Sequence, residues 1–158
     1  MFRKMRRFKQ QLTEEECIRI LTEEPRGVLA VSGDDGYPYA LPITHCYDRK
    51  NHSIVFHGAK VGHKIDSIKR NDKVSFCVYD KGFVKEGDWA LNIKSVIVFG
   101  RMKLVEDKDR ALEICRLLGN KFYPTPESVE TEIERDFSRV QCFELEIEHM
   151  TGKLVNEK

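Results

Sequence analysis

The chain contains one short stretch whose residue types suit anion binding, His57-Gly58-Ala59-Lys60-Val61-Gly62-His63-Lys64. Its two glycines let an anion approach the main chain closely, because glycine has no Cβ. A helix is predicted to begin at His63, and the amides and dipole at a helix N-terminus favour negative charge. Lys64 would add a point charge there. These residues predict a phosphate-binding loop, and a surface loop with solvated lysines is the alternative that they leave open.

Three histidines lie in or near this stretch, and three imidazoles can hold a metal ion. They are His45, on the preceding predicted strand, and His57 and His63, which are separated by six positions. No carboxylate or cysteine stands at a spacing that would complete a site. We therefore expect no metal.

The sequence lacks the motifs of other common catalytic sites. The sequence has no Gly-x-Ser-x-Gly and no Gly-x-Gly-x-x-Gly, and none of its five cysteines forms a pattern with a histidine. The carboxylates at positions 14–16 and 127–136 are typical of solvated helix faces. The single tryptophan, Trp89, is expected to pack, or else to form a wall of an aromatic ring pocket or a subunit interface.

Composition indicates a soluble globular protein of one domain, residues 1–158, with 41% hydrophobic and 34% charged residues. No apolar run approaches the roughly 20 residues of a membrane span. The net charge of +1 gives no field for nucleic acid. Residues 1–10 form a basic arm, which we expect to be mobile or to clasp a second subunit; a contact with nucleic acid is the alternative. Scattered cysteines without a C-x-x-C pair suggest free thiols in a reducing, cytoplasmic compartment.

Turn signals and alternating apolar residues predict a chain built mostly of strands. The pair Asp35-Gly36 between two extended runs is a strong hairpin signal, because the turn needs positive φ. Pro38 and Pro42 cannot donate to a strand ladder, so the return strand is expected at an edge, at a bulge or beside a ligand. Six strands are predicted, over Val28–Ser32, Tyr37–Asp48, Ser53–His57, Lys73–Tyr79, Lys94–Val105 and Cys142–Glu148.

Helices are predicted around these strands. Thr13 and Glu16 have the capping-box pattern, which begins a first helix. Further helices are predicted over His63–Lys69, after Asp107, and from Thr125-Pro126 onward, while residues 81–92 are predicted to form a polar loop. The fold class is therefore mainly β, a six-stranded, mostly antiparallel barrel with peripheral helices.

Three motifs in this order resemble the pyridoxamine 5′-phosphate oxidase-related, FMN-binding split-barrel superfamily, and within it the 5-nitroimidazole-resistance branch. They are Asp35-Gly36-Tyr37-Pro38-Tyr39-Ala40-Leu41-Pro42, Phe56-His57-Gly58-Ala59-x-x-Gly-x-Lys64 and Ser95-Val96-Ile97-Val98-Phe99-Gly100, and Met5-Arg6-Arg7 also fits that branch. The motifs extend over nearly the whole chain. The resemblance implies a split barrel that binds FMN and forms a homodimer, with two flavins at the subunit interface.

The resemblance also implies roles for single residues. Lys64 corresponds to the lysine that holds the FMN phosphate, and His63 stands where a second cation is common. The strand before them would lie beside the flavin, with His57 near the isoalloxazine ring as the candidate catalytic residue. The remaining implied cofactor-binding residues are Leu41, Pro42, Ile43 and Thr44 through main-chain groups, Phe56, Gly58 and Ala59 on the strand, Ser95 and Val96 on a later strand, and Trp89 from the partner subunit.

One departure limits the substrate. The pyridoxamine phosphate oxidases carry a C-terminal Arg-x-His motif, whereas this chain has Glu148-His149-Met150-Thr151-Gly152-Lys153 without an arginine. Pyridoxamine phosphate is therefore not the expected substrate. We expect an FMN-dependent oxidoreductase that acts on nitroaromatic or similar small electron-poor molecules, or alternatively a non-catalytic protein that binds or stores flavin or haem.

Overall fold

A computed structural model describes residues 1–156 of the chain. Four α-helices are present within this range, α1 (Glu14–Glu23), α2 (His63–Arg70), α3 (Lys108–Phe122) and α4 (Pro126–Asp136), besides three 3-10 turns. The strands are β1 (Arg26–Ser32), β2 (Pro38–Thr44), β3 (Cys46–Asp48), β4 (Ser53–Ala59), β5 (Lys73–Tyr79), β6 (Phe83–Val84), β7 (Leu91–Leu104) and β8 (Val140–Asn156). None of the helices within these residues is long and apolar enough to cross a membrane.

The strands form a curled antiparallel sheet in the order β2-β1-β5-β7-β8-β4-β3, with β6 paired to β7. Curling brings β2 near β4, although no ladder joins them within residues 1–156. The prediction of a mainly β split barrel with peripheral helices is confirmed, and the opening between β2 and β4 is the split. The expected edge position of the proline-containing strand β2 is also confirmed.

The predicted number of six strands is wrong, because eight are present in the described residues. The predicted strand Tyr37–Asp48 is divided at His45, where the chain leaves β1 and pairs instead with β4 on the other side of the split. The predicted loop 81–92 contains the short strand β6, which pairs with Leu91 and Asn92.

The last strand is also longer than its predicted end at Glu148, and it reaches Asn156 by pairing along β7. A bulge between Phe99 and Gly100 shifts the register of this pair. A Cβ at Gly100 would lie 2.0 Å from the carbonyl oxygen of Glu146. The close approach of the two strands at this bulge therefore requires glycine.

Three fully buried rings, Phe56, Phe76 and Phe143, form the centre of the barrel core. Phe56 lies edge-on to Phe76, with ring centroids 5.1 Å apart. Val55, which precedes Phe56 on β4, points to the opposite face and packs with Ile114 and Leu118 of α3. Strand β4 is thus buried on both faces over its first half, and this packing fixes the position of the residues that follow it.

His45 belongs to the core rather than to a metal site. Its ring is fully buried, and Nε2–H donates to the carbonyl oxygen of Leu21 at 2.8 Å. Burial and the nearby Lys121 ammonium lower the pKa of His45 to about 4. The imidazole is therefore neutral at pH 7, and it holds α1 against the junction of β2 and β3.

Candidate functional site

Helix α2 begins at an open, uncapped N-terminus next to the end of β4. Its N-cap residue is Gly62, with φ 135° and ψ 175°, and no side chain accepts from the first amides of the helix. A Cβ at Gly62 would meet no atom within 4 Å, so the space in front of these amides is open. Free amides at a helix N-terminus are donors for an anion.

Lys64 extends from this helix back across β4. A Cβ built at Gly58 would lie 3.1 Å from Lys64 Cε and 3.2 Å from Nζ. The missing side chain of Gly58 therefore makes the room that the lysine occupies. Among residues 1–156, the ammonium of Lys64 has no ion-pair or hydrogen-bond partner. An unpaired ammonium is thus held next to the uncapped helix end, as an anion site requires.

His63 is held at the same helix end by residues of the β1–β2 hairpin. Its ring stacks on Tyr39 with centroids 4.0 Å apart and planes 12° apart. Its Nε2 lies 3.7 Å from a carboxylate oxygen of Asp34, and Arg70 at the end of α2 donates to the same carboxylate at 2.8 Å. Neither Tyr39 nor Asp34 was predicted as a site residue, since the sequence does not reveal that this hairpin lies beside α2.

A cavity of about 480 Å³ lies on the other face of β4, under helices α3 and α4. Its walls are mostly apolar, with Leu118, Phe122, Val129 and Ile133 from the helices. This volume is within the range of pockets that hold small ligands. The helices were predicted, but periodicity alone did not show that they enclose a cavity against β4.

His57 and Thr44 border this cavity from β4 and β2, on the two sides of the split. Burial among the surrounding residues lowers the pKa of His57, although its side chain is exposed toward the cavity. The neutral ring is therefore the main form at pH 7. The side chain of Arg26, which also borders the cavity, has no hydrogen-bond or ion-pair partner among residues 1–156.

The structure brings together the predicted residues of β2, β4 and α2. Phe56 and Ile43 are buried in the barrel core, so only their main-chain atoms can reach a ligand at the split. Leu41 packs against the core from the edge strand, and Pro42 is exposed on the outer face. Ala59, at the end of β4, is also exposed.

The predicted residues Ser95, Val96 and Trp89 lie elsewhere. Ser95 pairs with Lys153 of β8, whereas Gly58, beside Lys64, pairs with Gln141 of the same strand. These two β8 positions are twelve residues apart, or about 40 Å along an extended strand. Val96 points into the barrel core, and Trp89 is 73% exposed. A single chain therefore does not bring these three residues to Lys64. No group of three or more metal-ligating side chains occurs within residues 1–156.

A sequence model of the family described as pyridoxamine 5′-phosphate oxidase matches residues 13–154, almost the whole described chain. The chain belongs to the pyridoxamine 5′-phosphate oxidase family. No curated protein matches it in sequence. The oxidase family is therefore identified from its shared sequence pattern, and the fold described above agrees with that assignment.

Several solved structures share the fold of this chain. A proposed 5-nitroimidazole antibiotic resistance protein from Bacteroides thetaiotaomicron is 16% identical, with a TM-score of 0.77 over 92% of this chain and 87% of that one. An FAD-binding protein from Mesorhizobium loti is 24% identical, with a TM-score of 0.64 over 92% and 97%. An FAD and haem binding protein from Mycobacterium smegmatis is 18% identical, with a TM-score of 0.76 over 92% and 73%. The expected resemblance to the oxidase family and to a nitroimidazole-resistance protein is confirmed.

Proposed function

We propose that the protein binds flavin mononucleotide, with the phosphate at Lys64 and the N-terminus of α2. The supporting observation is the unpaired Lys64 ammonium, which lies over Gly58 beside an uncapped helix end. This set of donors suits a phosphate dianion, because it combines a point charge with main-chain amides. His63, stacked on Tyr39, adds a second nitrogen donor on the same side.

We assign the isoalloxazine ring to the split between β2 and β4. The flavin would then pass from Lys64, on one face of β4, to the cavity that His57 and Thr44 border on the other face. The cavity there has apolar walls and a volume suited to a planar ring system. The main chain of Leu41–Thr44 lies along the edge strand β2, where amide and carbonyl groups that face the split are available to the ring. The solved relatives that are described as FAD-binding support a flavin at this fold.

A homodimer would complete the site. The outer face of β5 and β7 exposes Ile97 and Phe99, at 42% and 38%, beside a groove of about 690 Å³. Phe2 of the N-terminal arm stacks on His149 and Phe99 at the edge of this face. Pairing two such faces would bury apolar surface that a monomer leaves in water. It would let a partner supply Ser95, Trp89 and the main chain of Val96, which one chain holds far from Lys64.

The proposed activity is the reduction of nitroaromatic or similar small electron-poor compounds. When bound, the flavin supplies the electron transfer. The protein's own part is to hold the substrate in an apolar cavity and to orient it. Because His57 is mainly neutral at pH 7, its role is to donate a hydrogen bond to the substrate, which suits a nitro-group oxygen.

The binding proposal is tested by titrating flavin-free protein with FMN, riboflavin and FAD. We expect FMN to bind most tightly, because riboflavin lacks the phosphate and FAD carries a bulkier diphosphate. Riboflavin binding as tight as FMN would contradict the phosphate assignment. Reduction of a 5-nitroimidazole by the loaded protein and a chemical reductant tests the activity separately.

The alternative is a non-catalytic protein that stores flavin or haem, and one observation favours it. The relative from Mycobacterium smegmatis is described as binding both FAD and haem. A purified protein with a Soret absorbance band, or bound flavin that no pair of reductant and acceptor turns over, would support this alternative over the reductase.

A further inference from the structure

Two cysteines that are far apart in sequence meet beside the cavity. Cys115 lies on α3 and Cys142 on β8, and their Sγ atoms are 3.6 Å apart. The pair joins the helix layer to the sheet. The two sulfur atoms must approach by about 1.5 Å to reach the S–S distance of about 2.05 Å in a disulfide, and side-chain rotation can supply a movement of this size.

The two thiols differ in access to small molecules. Cys115 borders the cavity, whereas Cys142 is 2% exposed and lies 3.5 Å from the carbonyl oxygen of Ala111. A solute that enters the cavity can therefore reach Cys115 first. Cys142 lies behind Cys115, where its thiol can attack the Cys115 sulfur after that sulfur has reacted.

The electrostatic surroundings agree with this order. A hydrogen bond from Cys142 and the nearby Arg116 lower the pKa of Cys115, and the same contact, with burial, raises the pKa of Cys142. Burial raises the pKa of the other three cysteines, to about 11 at Cys17. Cys115 is thus the one cysteine of the chain whose surroundings favour the thiolate.

We propose that Cys115 and Cys142 are a hydroperoxide-reactive dithiol that closes to a disulfide at the wall of the cavity. The Cys115 thiolate attacks the outer oxygen of a hydroperoxide, so that the O–O bond breaks and Cys115 becomes a sulfenic acid. With hydrogen peroxide the leaving group is hydroxide, which takes up the proton that the Cys115 thiol had lost and departs as water. The Cys142 thiol then attacks the Cys115 sulfur, which forms the S–S bond and releases a second water.

This reaction has a structural consequence for the cavity. Closing the disulfide draws the Cys115 sulfur away from the cavity and fixes α3 to β8. Residues 116–141, which include α4, then form a closed loop over the cavity. The oxidation state of the pair would therefore alter the space available to a ligand next to His57. The proposal does not depend on which ligand occupies it.

The test treats the purified protein with a small excess of hydrogen peroxide and then blocks the remaining thiols under denaturing conditions. We expect three blocked thiols per chain instead of five, together with a cross-linked peptide that contains Cys115 and Cys142. Cys142→Ser should stop the reaction at Cys115 sulfenic acid, which dimedone traps, and Cys115→Ser should abolish both products. Cys77→Ser is the matched control, since this half-buried cysteine has no thiol neighbour, and it should leave the cross-link unchanged.

The proposal is overturned if all five thiols are still blocked, or if the cross-link joins any other cysteines or two chains. It is also overturned if dimedone labels Cys77 or Cys46 as fast as Cys115 in the Cys142→Ser protein. A folding defect in either serine variant would appear in its circular dichroism spectrum. In that case the thiol count and the cross-linked peptide of the native protein would still decide the proposal.

Discussion

Replacing Lys64 with alanine tests the phosphate assignment through the ratio of two affinities. Lys64 is an unpaired cation that contacts Gly58, so its removal breaks no internal ion pair and leaves the helix amides in place. A hydrogen bond to a charged group contributes about 1.5 to 3 kcal/mol. At 1.4 kcal/mol per tenfold, the affinity for FMN should fall about 10- to 150-fold, while that for riboflavin should change little.

The assay is quenching of flavin fluorescence during titration with protein, carried out in parallel with FMN and riboflavin. Lys60→Ala is the control, because this exposed lysine belongs to the same loop but does not approach Gly58. Gly58→Ala should also weaken FMN binding, since its Cβ would meet Lys64 at 3.1–3.2 Å. In the Lys64→Ala protein the same substitution should cause little further loss of affinity. The reasoning is refuted if Lys64→Ala leaves the ratio of FMN to riboflavin affinity unchanged, or if Lys60→Ala lowers it equally.

Three further predictions concern stability and assembly. The pKa of His45 is about 4 in the folded protein, against an ordinary 6.5. As the pH falls from 6.5 to 4, the unfolded chain takes up a proton that the folded protein does not, so the free energy of unfolding decreases. Between pH 7 and 4.5 the loss is about 2.5 kcal/mol, and urea titrations at these two pH values should show a smaller loss in His45→Phe. Gly100→Ala should lower the free energy of unfolding by about 2 to 4 kcal/mol, because its Cβ would overlap Glu146; a change near zero in denaturant midpoint would disprove the close approach. The proposed homodimer predicts a dimer mass for the native protein and a monomer mass for Phe99→Glu in light scattering, and a dimer mass in both proteins would place the interface elsewhere.

The elements of the fold were largely predictable because each has a local signal. The capping box at Thr13 and Glu16 is present as expected, and Lys73–Tyr79 alternates because one face of β5 lies on the core. The division at His45 was not predictable, since the exchange of strand partners there depends on how the whole sheet curls. The extension of β8 likewise depends on the length of β7, which supplies its partner.

The candidate site was likewise predictable only in part. The loop from Gly58 to Lys64 could be identified from its residue types and from the family resemblance. The stacking of Tyr39 on His63 and the enclosure of His57 by α3 and α4 could not, because both arise from elements that are distant in sequence. The proximity of Cys115 and Cys142 is a third such contact, and nothing in their spacing indicates it.

The absorbance spectrum of the purified protein, followed by chromatography of the cofactor released on denaturation, tests the central proposal most directly. A site formed by Lys64, Gly58 and the start of α2 predicts a yellow protein with oxidised-flavin bands. It also predicts that the released cofactor is FMN. A colourless protein that added FMN does not convert to a stable flavin complex would contradict the proposed function.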